Sequence, residues 1–170
     1  MSASKNYYRI MLGQKSSDAR QCHEEQWFGG GYQIEGDLTD RLPDNSHEFN
    51  KEFIPVWLDA NPGKSKSSAS RCCGMLWWIC KGIQRDDIVL CPDGTGNYWA
   101  GEVIGDYFYV PDPSLPHRRK VQWYPDSIAR SDMSEGLRNL TGLPGTVRNV
   151  TKHCEEIETL LAGPTSMIAV

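Results

Sequence analysis

Residues 68–110 read SASRCCGMLWWICKGIQRDDIVLCPDGTGNYWAGEVIGDYFYV, and this stretch decides the fold. At 100° per residue, Ala69, Cys72, Cys73, Leu76 and Cys80 fall on one stripe. The spacing therefore predicts a helix over 68–81 with that stripe against a core and Trp77 at its edge. Ser67 or Ser68 is the expected N-cap, and Gly82 lies just past the helix end. Asp87 to Cys91 reads as a strand, residues 92–96 carry turn chemistry, and Asn97 to Ile104 pairs back on the strand. Tyr107 to Val110 continues after Gly105-Asp106.

Upstream, residues 7–12 read as a first strand. Ser16 to Gln26 is a short polar helix ended by Gly29-Gly30-Gly31, and residues 32–42 are irregular. Asn45 to Leu58 places Phe49, Phe53, Val56 and Trp57 at helical spacing, although Pro55 is expected to shorten or kink that helix. Downstream come a strand over 120–124 and a helix from Ser131 to Leu140. A closing helix over 151–161 has Thr151 as its cap, Glu155 and Glu156 in its early turns, and Gly163-Pro164 as its stop. Helices and short antiparallel strands mix without a βαβ rhythm. The expected class is α+β: a small curved sheet, or a β-barrel, flanked by helices. One domain is expected over 1–163, with 164–170 as a tail.

The net charge of −4 excludes a broadly basic nucleic-acid coat and leaves room for a local cationic patch. No stretch reaches the roughly 20 apolar residues of a membrane span, and the first residues lack a signal-peptide layout, so the expected address is cytoplasmic. The six cysteines include no CxxC pair, and Cys72, Cys73 and Cys80 share one predicted helix, as buried free thiols do. Cys22-His23 and His153-Cys154 lack the spacer that zinc ligands use. No metal and no cofactor are expected.

Catalytic motifs are missing. Gly63-Lys64-Ser65 ends like a phosphate loop, but the loop's first glycine would fall at Leu58. There is no GxGxxG after a strand and no GxSxG elbow, and no lysine has an acidic residue two positions before it. The four histidines are scattered. No catalytic residue is assigned, and binding without chemistry is the expectation.

Several features suggest a binding surface. Trp78 lies across the 68–81 helix from the core stripe, near Arg71, an arrangement that can stack a base and hold a phosphate. Lys64 and Lys66 precede the same helix, whose N-terminus attracts anions. His117, Arg118, Arg119 and Lys120 form a basic run before an aromatic-rich strand. Tyr107 and Tyr109 share one strand face and Phe108 takes the other.

The ordered segments GMLWWICKGIQRDDIVLCPDGTGNYWAGEVIGDYFY, LPHRRKVQWY, RSDMSEGLRNLTG, GTV and EEIETLL resemble the N-terminal domain of Mrr-like, modification-dependent bacterial restriction proteins. More distantly, the helix 68–81, residues 86–89, the Gly96 to Val103 strand and Val121-Gln122-Trp123 are similar to EVE and YTH domains of the PUA superfamily. That pattern has glycine where Asp86 stands here. The resemblance implies a PUA/EVE-like barrel that reads modified or flipped bases with an aromatic cage and a basic rim. It implies a pocket between the 68–81 helix and the following strands, with Trp77 or Trp78 as one wall, Tyr107 or Tyr109 as the other, and Trp27 as a possible third.

The expected function is a DNA-reading specificity domain of a restriction or antiviral defence system, capturing one flipped base. Its expected partners are modified double-stranded DNA and an effector nuclease domain or subunit, with no membrane. Phosphate contacts are expected from Lys64, Lys66, Arg71, His117, Arg118, Arg119 and Lys120. Two other classes are carried: a sensor of a free nucleotide, and a protein-interaction module anchored by Trp78 and Trp27.

Overall fold

Alternation along the strands already sorts two cores. In a computed structural model, which describes residues 4–168, Tyr7, Ile88 and Leu90 pack on one side of the sheet with Tyr98, Leu137 and Ile157. Tyr8, Ile10, Val89 and Cys91 pack on the other side with Cys22, Phe28, Ile79 and Ile83. Side chains of successive strand residues point to opposite faces, so one pairing register supplies both cores.

The strands are β1 (Tyr7–Ile10), β2 (Trp27–Gly30), β3 (Ile88–Pro92), β4 (Asn97–Tyr109), β5 (His117–Trp123), β6 (Ile128–Ala129) and β7 (Val147–Asn149). The helices are α1 (Ala19–Glu25), α2 (Ser46–Ala60), α3 (Lys66–Trp77), α4 (Glu135–Thr141) and α5 (Cys154–Ile168). The sheet order is β2-β5-β4-β3-β1-β7, with β6 on the start of β4. All pairs are antiparallel except β1 with β3. The order ends in different strands on its two sides, so the α+β class holds and the sheet is open, not closed into a barrel.

The buried stripe of the predicted 68–81 helix is present: Ala69, Cys73, Leu76 and Cys80 are buried and Cys72 is half-buried. They pack against Phe49, Phe53 and Trp57 of α2 and against Ile34 and Leu38 of the irregular segment. The cap is Ser65, whose hydroxyl accepts from the Ser68 amide at 3.0 Å, earlier than Ser67 or Ser68. The helix also changes pitch, since Trp78–Gly82 form a π-helical turn. α2 runs through Pro55 to Ala60 without a break, its start capped by Asn45 accepting from the Glu48 amide at 2.9 Å.

Three departures from the sequence reading shape the molecule. Residues 97–109 are one strand, and its pairing to β5 slips between Val103↔Val121 and Tyr107↔Arg119, so Ile104, Gly105 and Asp106 stand opposite Lys120 alone. Three residues against one make a larger bulge than the usual two against one, and it bends the strand. Second, α1 ends at Gln26 in the left-handed region (φ 60°), and the glycines that follow belong to β2 and its exit. A Cβ on Gly29 would stand 2.5 Å from the His117 carbonyl oxygen, and one on Gly31 would stand 2.3 Å from that of Ser114. These glycines are close-approach points, not a flexible hinge. Third, β5 begins at His117, so the basic run lies inside a strand flanked by β2 and β4. At the far end, Gly163 (φ 70°) breaks α5 where a stop was expected, and backbone 164–168 is helical beyond it. Residues 169–170 of the expected tail lie outside the described residues.

The Asp86-Asp87 pair explains its own pattern. Buried Asp87 accepts from the Asn6 amide (3.0 Å) and the Gln84 amide (2.8 Å), tying the start of β1 to the turn before β3. Asp86 has φ 77°, a conformation that glycine adopts freely and asparagine or aspartate tolerates. We expect Asp86→Ala to lose about 1 kcal/mol and Asp86→Gly to lose nothing. Urea melts of the three proteins would check that order.

Candidate binding clefts

The basic run contacts the protein itself. His117, Arg118 and Arg119 are 0%, 5% and 3% exposed. Arg118 lies with its guanidinium 3.7 Å from the Trp27 ring centroid, donates to the Leu115 carbonyl at 2.8 Å and pairs with Asp112 at 3.3 Å. Arg119 donates through Nε to the Gly105 carbonyl (2.8 Å). Its Nη1 donates to the Ile79, Cys80 and Ile83 carbonyls (3.2, 3.4 and 2.5 Å). The last carbonyls of a helix have no intrahelical partner, and here the π-helical turn ends on this guanidinium. The expected phosphate contacts at His117 and Arg118 are therefore corrected, and Arg119 is committed to the protein through Nε and Nη1: these three side chains hold the β4 bulge, the π-helical turn and Trp27 in place. Lys120 is exposed, its ammonium 5.4 Å from the Phe108 ring centroid.

His117 joins a closed network. Its Nε2 is 2.6 Å from the Ile34 carbonyl, so Nε2 carries the proton and donates. Nδ1, 2.8 Å from the Tyr107 hydroxyl, then accepts from it, and that oxygen accepts from the Leu38 amide at 3.0 Å. A second proton on the ring would set two donors against each other, and burial holds the imidazole pKa below its ordinary 6.5. The unfolded chain takes that proton near pH 6.5 and the folded chain only lower, so this contribution is complete above 6.5 and is lost as pH falls. Burial also raises the Cys73 thiol to about 11 and Tyr8 and Tyr32 to about 12. The unfolded chain releases those protons first, from about pH 9 upward, and stability falls there too. We expect urea stability to be greatest between pH 7 and 8. In His117→Gln the acid-side decline should become shallower, and an unchanged slope would remove His117 as its source.

The aromatic candidates separate. Trp27 is 3% exposed and donates its indole N–H to Glu25 at 2.9 Å, so it is core and not a third wall. Trp77 is buried and donates to the Pro43 carbonyl at 2.9 Å, which also makes it scaffold. Trp78 is 37% exposed, edge-on to Trp77 at 5.2 Å and tilted against Tyr8 at 5.9 Å. Tyr107 and Tyr109 share the expected face, both beside the His117 ring (5.8 and 5.7 Å). Lys64, Lys66 and Arg71 are exposed, and by helical rise Lys66 stands about 17 Å and Arg71 about 9 Å from Trp77 at the far end of α3. Among the described residues no group of three or more His, Cys, Asp or Glu could hold a metal ion.

Two clefts are built on this frame. One, of about 550 Å³, lies between the π-helical turn and the β4 bulge; Leu42, Lys81, Ile83, Arg85, Asp106, Tyr107 and Arg119 are among its walls. Of the expected cage residues, only Tyr107 is among them. The other, of about 410 Å³, lies where β1 and β2 leave the sheet, and its walls include Gly13, Gly29, Gly30, Gly31 and Gly145 with Gln14, Lys15, Tyr32 and Thr146. Sequence reasoning missed this second cleft. Among the described residues six non-glycine residues have positive φ, and four of them (Lys15, Ser16, Tyr32, Gln33) stand on the two loops that flank it. Such backbone costs on the order of 1–3 kcal/mol per residue and gathers at functional sites. Tyr32 is fixed by hydrogen bonds to Thr146 and, at 3.7 Å, to the Met75 sulfur. The signal in the sequence was the glycine run itself, taken for a helix stop.

Fold and clefts together define an α+β domain with an open, mixed seven-stranded sheet and a backbone-lined cleft at the exits of β1 and β2. The chain belongs to the family described as a domain of unknown function, DUF8426, whose model matches residues 8–141. No curated protein matches the chain. Among the described residues no helix is long and apolar enough to cross a membrane.

Proposed function

We propose that this chain is a recognition domain that reads modified DNA for a defence system, taking one extruded base into the glycine-lined cleft and performing no chemistry on it. The observation that carries the reading is the strained, glycine-rich backbone around a cleft of about 410 Å³. That size is at the small end of ligand pockets, which run roughly 300–1,000 Å³. Backbone walls present amide and carbonyl groups at fixed positions, which suits the edge of a heterocycle. Tyr32 supplies a ring and Lys15 a cation for a neighbouring phosphate. Extruding a base costs a few kcal/mol, which stacking and edge hydrogen bonds must offset. The similarity to modification-dependent restriction proteins supplies the substrate class.

The test is fluorescence anisotropy with unmodified, methylated and hydroxymethylated duplexes of one sequence. We expect one modified duplex to bind at least tenfold more tightly than the plain one. Equal binding of all three would overturn the reading.

A second reading, a sensor of a free nucleotide in the same cleft, is favoured by the burial of His117, Arg118 and Arg119, which leaves Lys15 as the cation at this cleft. The salt dependence separates the two, because each phosphate contact to duplex DNA contributes about −0.9 to the slope of log K against log salt. Mononucleotide binding with a slope near zero would favour the sensor. The third class, a protein-interaction module, loses one of its two anchors, since Trp27 is buried.

A further inference from the structure

The larger cleft holds a buried cation that, among the described residues, has no ion-pair partner. Among the described residues no carboxylate lies within ion-pairing distance of Arg119, and Asp106, on the same cleft, is taken by Arg85 (3.1 and 3.4 Å). Burying a guanidinium without a counter-charge is costly, and carbonyls offset only part of it. The hydrogen bonds of Arg119 are also incomplete. Nε and Nη1 serve four backbone carbonyls, while Nη2, with two N–H groups, donates to no atom of the described residues. The side chain is 3% exposed and lines the cleft, so what it offers, it offers there.

The rest of the cleft adds to this. Lys81 and Arg85 bring two more cations against the single carboxylate of Asp106, an excess of two positive charges. Their present partners are exposed and exchangeable: Lys81 sits 3.4 Å from an Asp44 side chain that is 99% exposed. Leu42, Ile83 and the Tyr107 ring add apolar surface beside Thr39 and Gln84. A carboxylate ligand would leave one charge over, whereas a phosphomonoester carries about −1.5 to −2 near pH 7 and accepts an arginine fork.

We propose that this cleft is a phosphomonoester site, with Arg119 Nη2 donating to a phosphate oxygen, Lys81 and Arg85 closing on the others, and Leu42, Ile83 and Tyr107 taking the apolar body of the ligand. The site is separate from the glycine-lined cleft and stands or falls without it. The phosphate can belong to a small free molecule or to the 5′ end of a nucleic acid strand.

Calorimetric titration with phenyl phosphate, benzoate and phenol tests the proposal. Phenyl phosphate is expected to bind at least tenfold more tightly than benzoate, and phenol not measurably. The double variant Lys81→Ala/Arg85→Ala should lose at least tenfold in phenyl phosphate affinity while melting like the parent, and Lys152→Ala, a charge control elsewhere, should lose nothing. Arg119→Lys, which keeps the charge and removes the fork, should weaken binding if it folds, and the double variant decides the matter if it does not. Phenyl phosphate binding no better than benzoate, or unmoved in the double variant, would overturn the site. With phenyl phosphate bound as expected, a 5′-phosphorylated oligonucleotide competing better than its 5′-hydroxyl twin supports strand ends as the source. Equal competition supports a free phosphomonoester.

Discussion

Arg119→Met is expected to cost about 3 kcal/mol or more, while Lys120→Ala, one residue along, should fall within about 0.5 kcal/mol of the parent. Four carbonyls, those of Gly105, Ile79, Cys80 and Ile83, lose their donor together. Each buried acceptor left without a partner costs about 1–3 kcal/mol, and relaxation of the π-helical turn recovers part of that sum. For a chain of this size the loss should lower the melting temperature by roughly 6–12 °C. Thermal melts followed by near-ultraviolet circular dichroism would measure both variants. An Arg119 variant that melts like the parent would mean that the side chain is a surface group, as its place in a basic run suggested.

The second large effect is at Gly31. A methyl group there would meet the Ser114 carbonyl oxygen at 2.3 Å and the Pro116 ring at 3.3 Å. The first neighbour is backbone and cannot swing aside, so Gly31→Ala must push the exit of β2 away from the segment before β5. Overpacking of this kind costs about 1–3 kcal/mol, and the displaced wall belongs to the proposed base cleft. Binding of the preferred duplex should fall at least tenfold, with a melting temperature several degrees lower. Gly74→Ala is the control: nothing lies within 4 Å of its added methyl group, and helix propensity should raise stability by roughly 0.5–1 kcal/mol. If Gly31→Ala binds normally, the ligand does not use this cleft.

The β3–β4 hairpin and the core stripe of α3 were legible because periodicity is a local property, and Ala69, Cys73, Leu76 and Cys80 display it without help from distant residues. The same logic failed wherever a residue's partner lies far along the chain. Charge suggested that residues 117–120 are solvated. The carbonyl acceptors that bury Arg119 come from residues 79–83 and 105, which sequence spacing does not reveal. Glycines 29–31 look like a flexible stop until the 114–117 backbone is seen against them. β7, three residues long and partly polar, gives no alternating signal, and only its pairing with β1 makes it a strand. The cap of α3 moved by a few residues because several neighbouring serines can each accept an amide, and the geometry chose Ser65.

The place of β1 in the sheet bears on how the chain reaches this structure. Its four residues pair with residues 88–90 on one side and 147–149 on the other. Arg9, within it, donates to the carbonyls of Thr141, Leu143 and Gly145. A nascent chain leaving the ribosome therefore carries this apolar strand unpaired until about eighty more residues have emerged, and half-paired until nearly the whole domain has followed. The hairpin of β3 and β4 and the α2–α3 pair complete themselves from neighbouring sequence and can form first, as the template on which β1 docks. Because so much of the sheet is joined across long loops, folding belongs to the slower, millisecond-to-second regime of non-local topologies. Until that docking occurs, the strand Tyr7–Ile10 is open to mispairing with another copy of the chain.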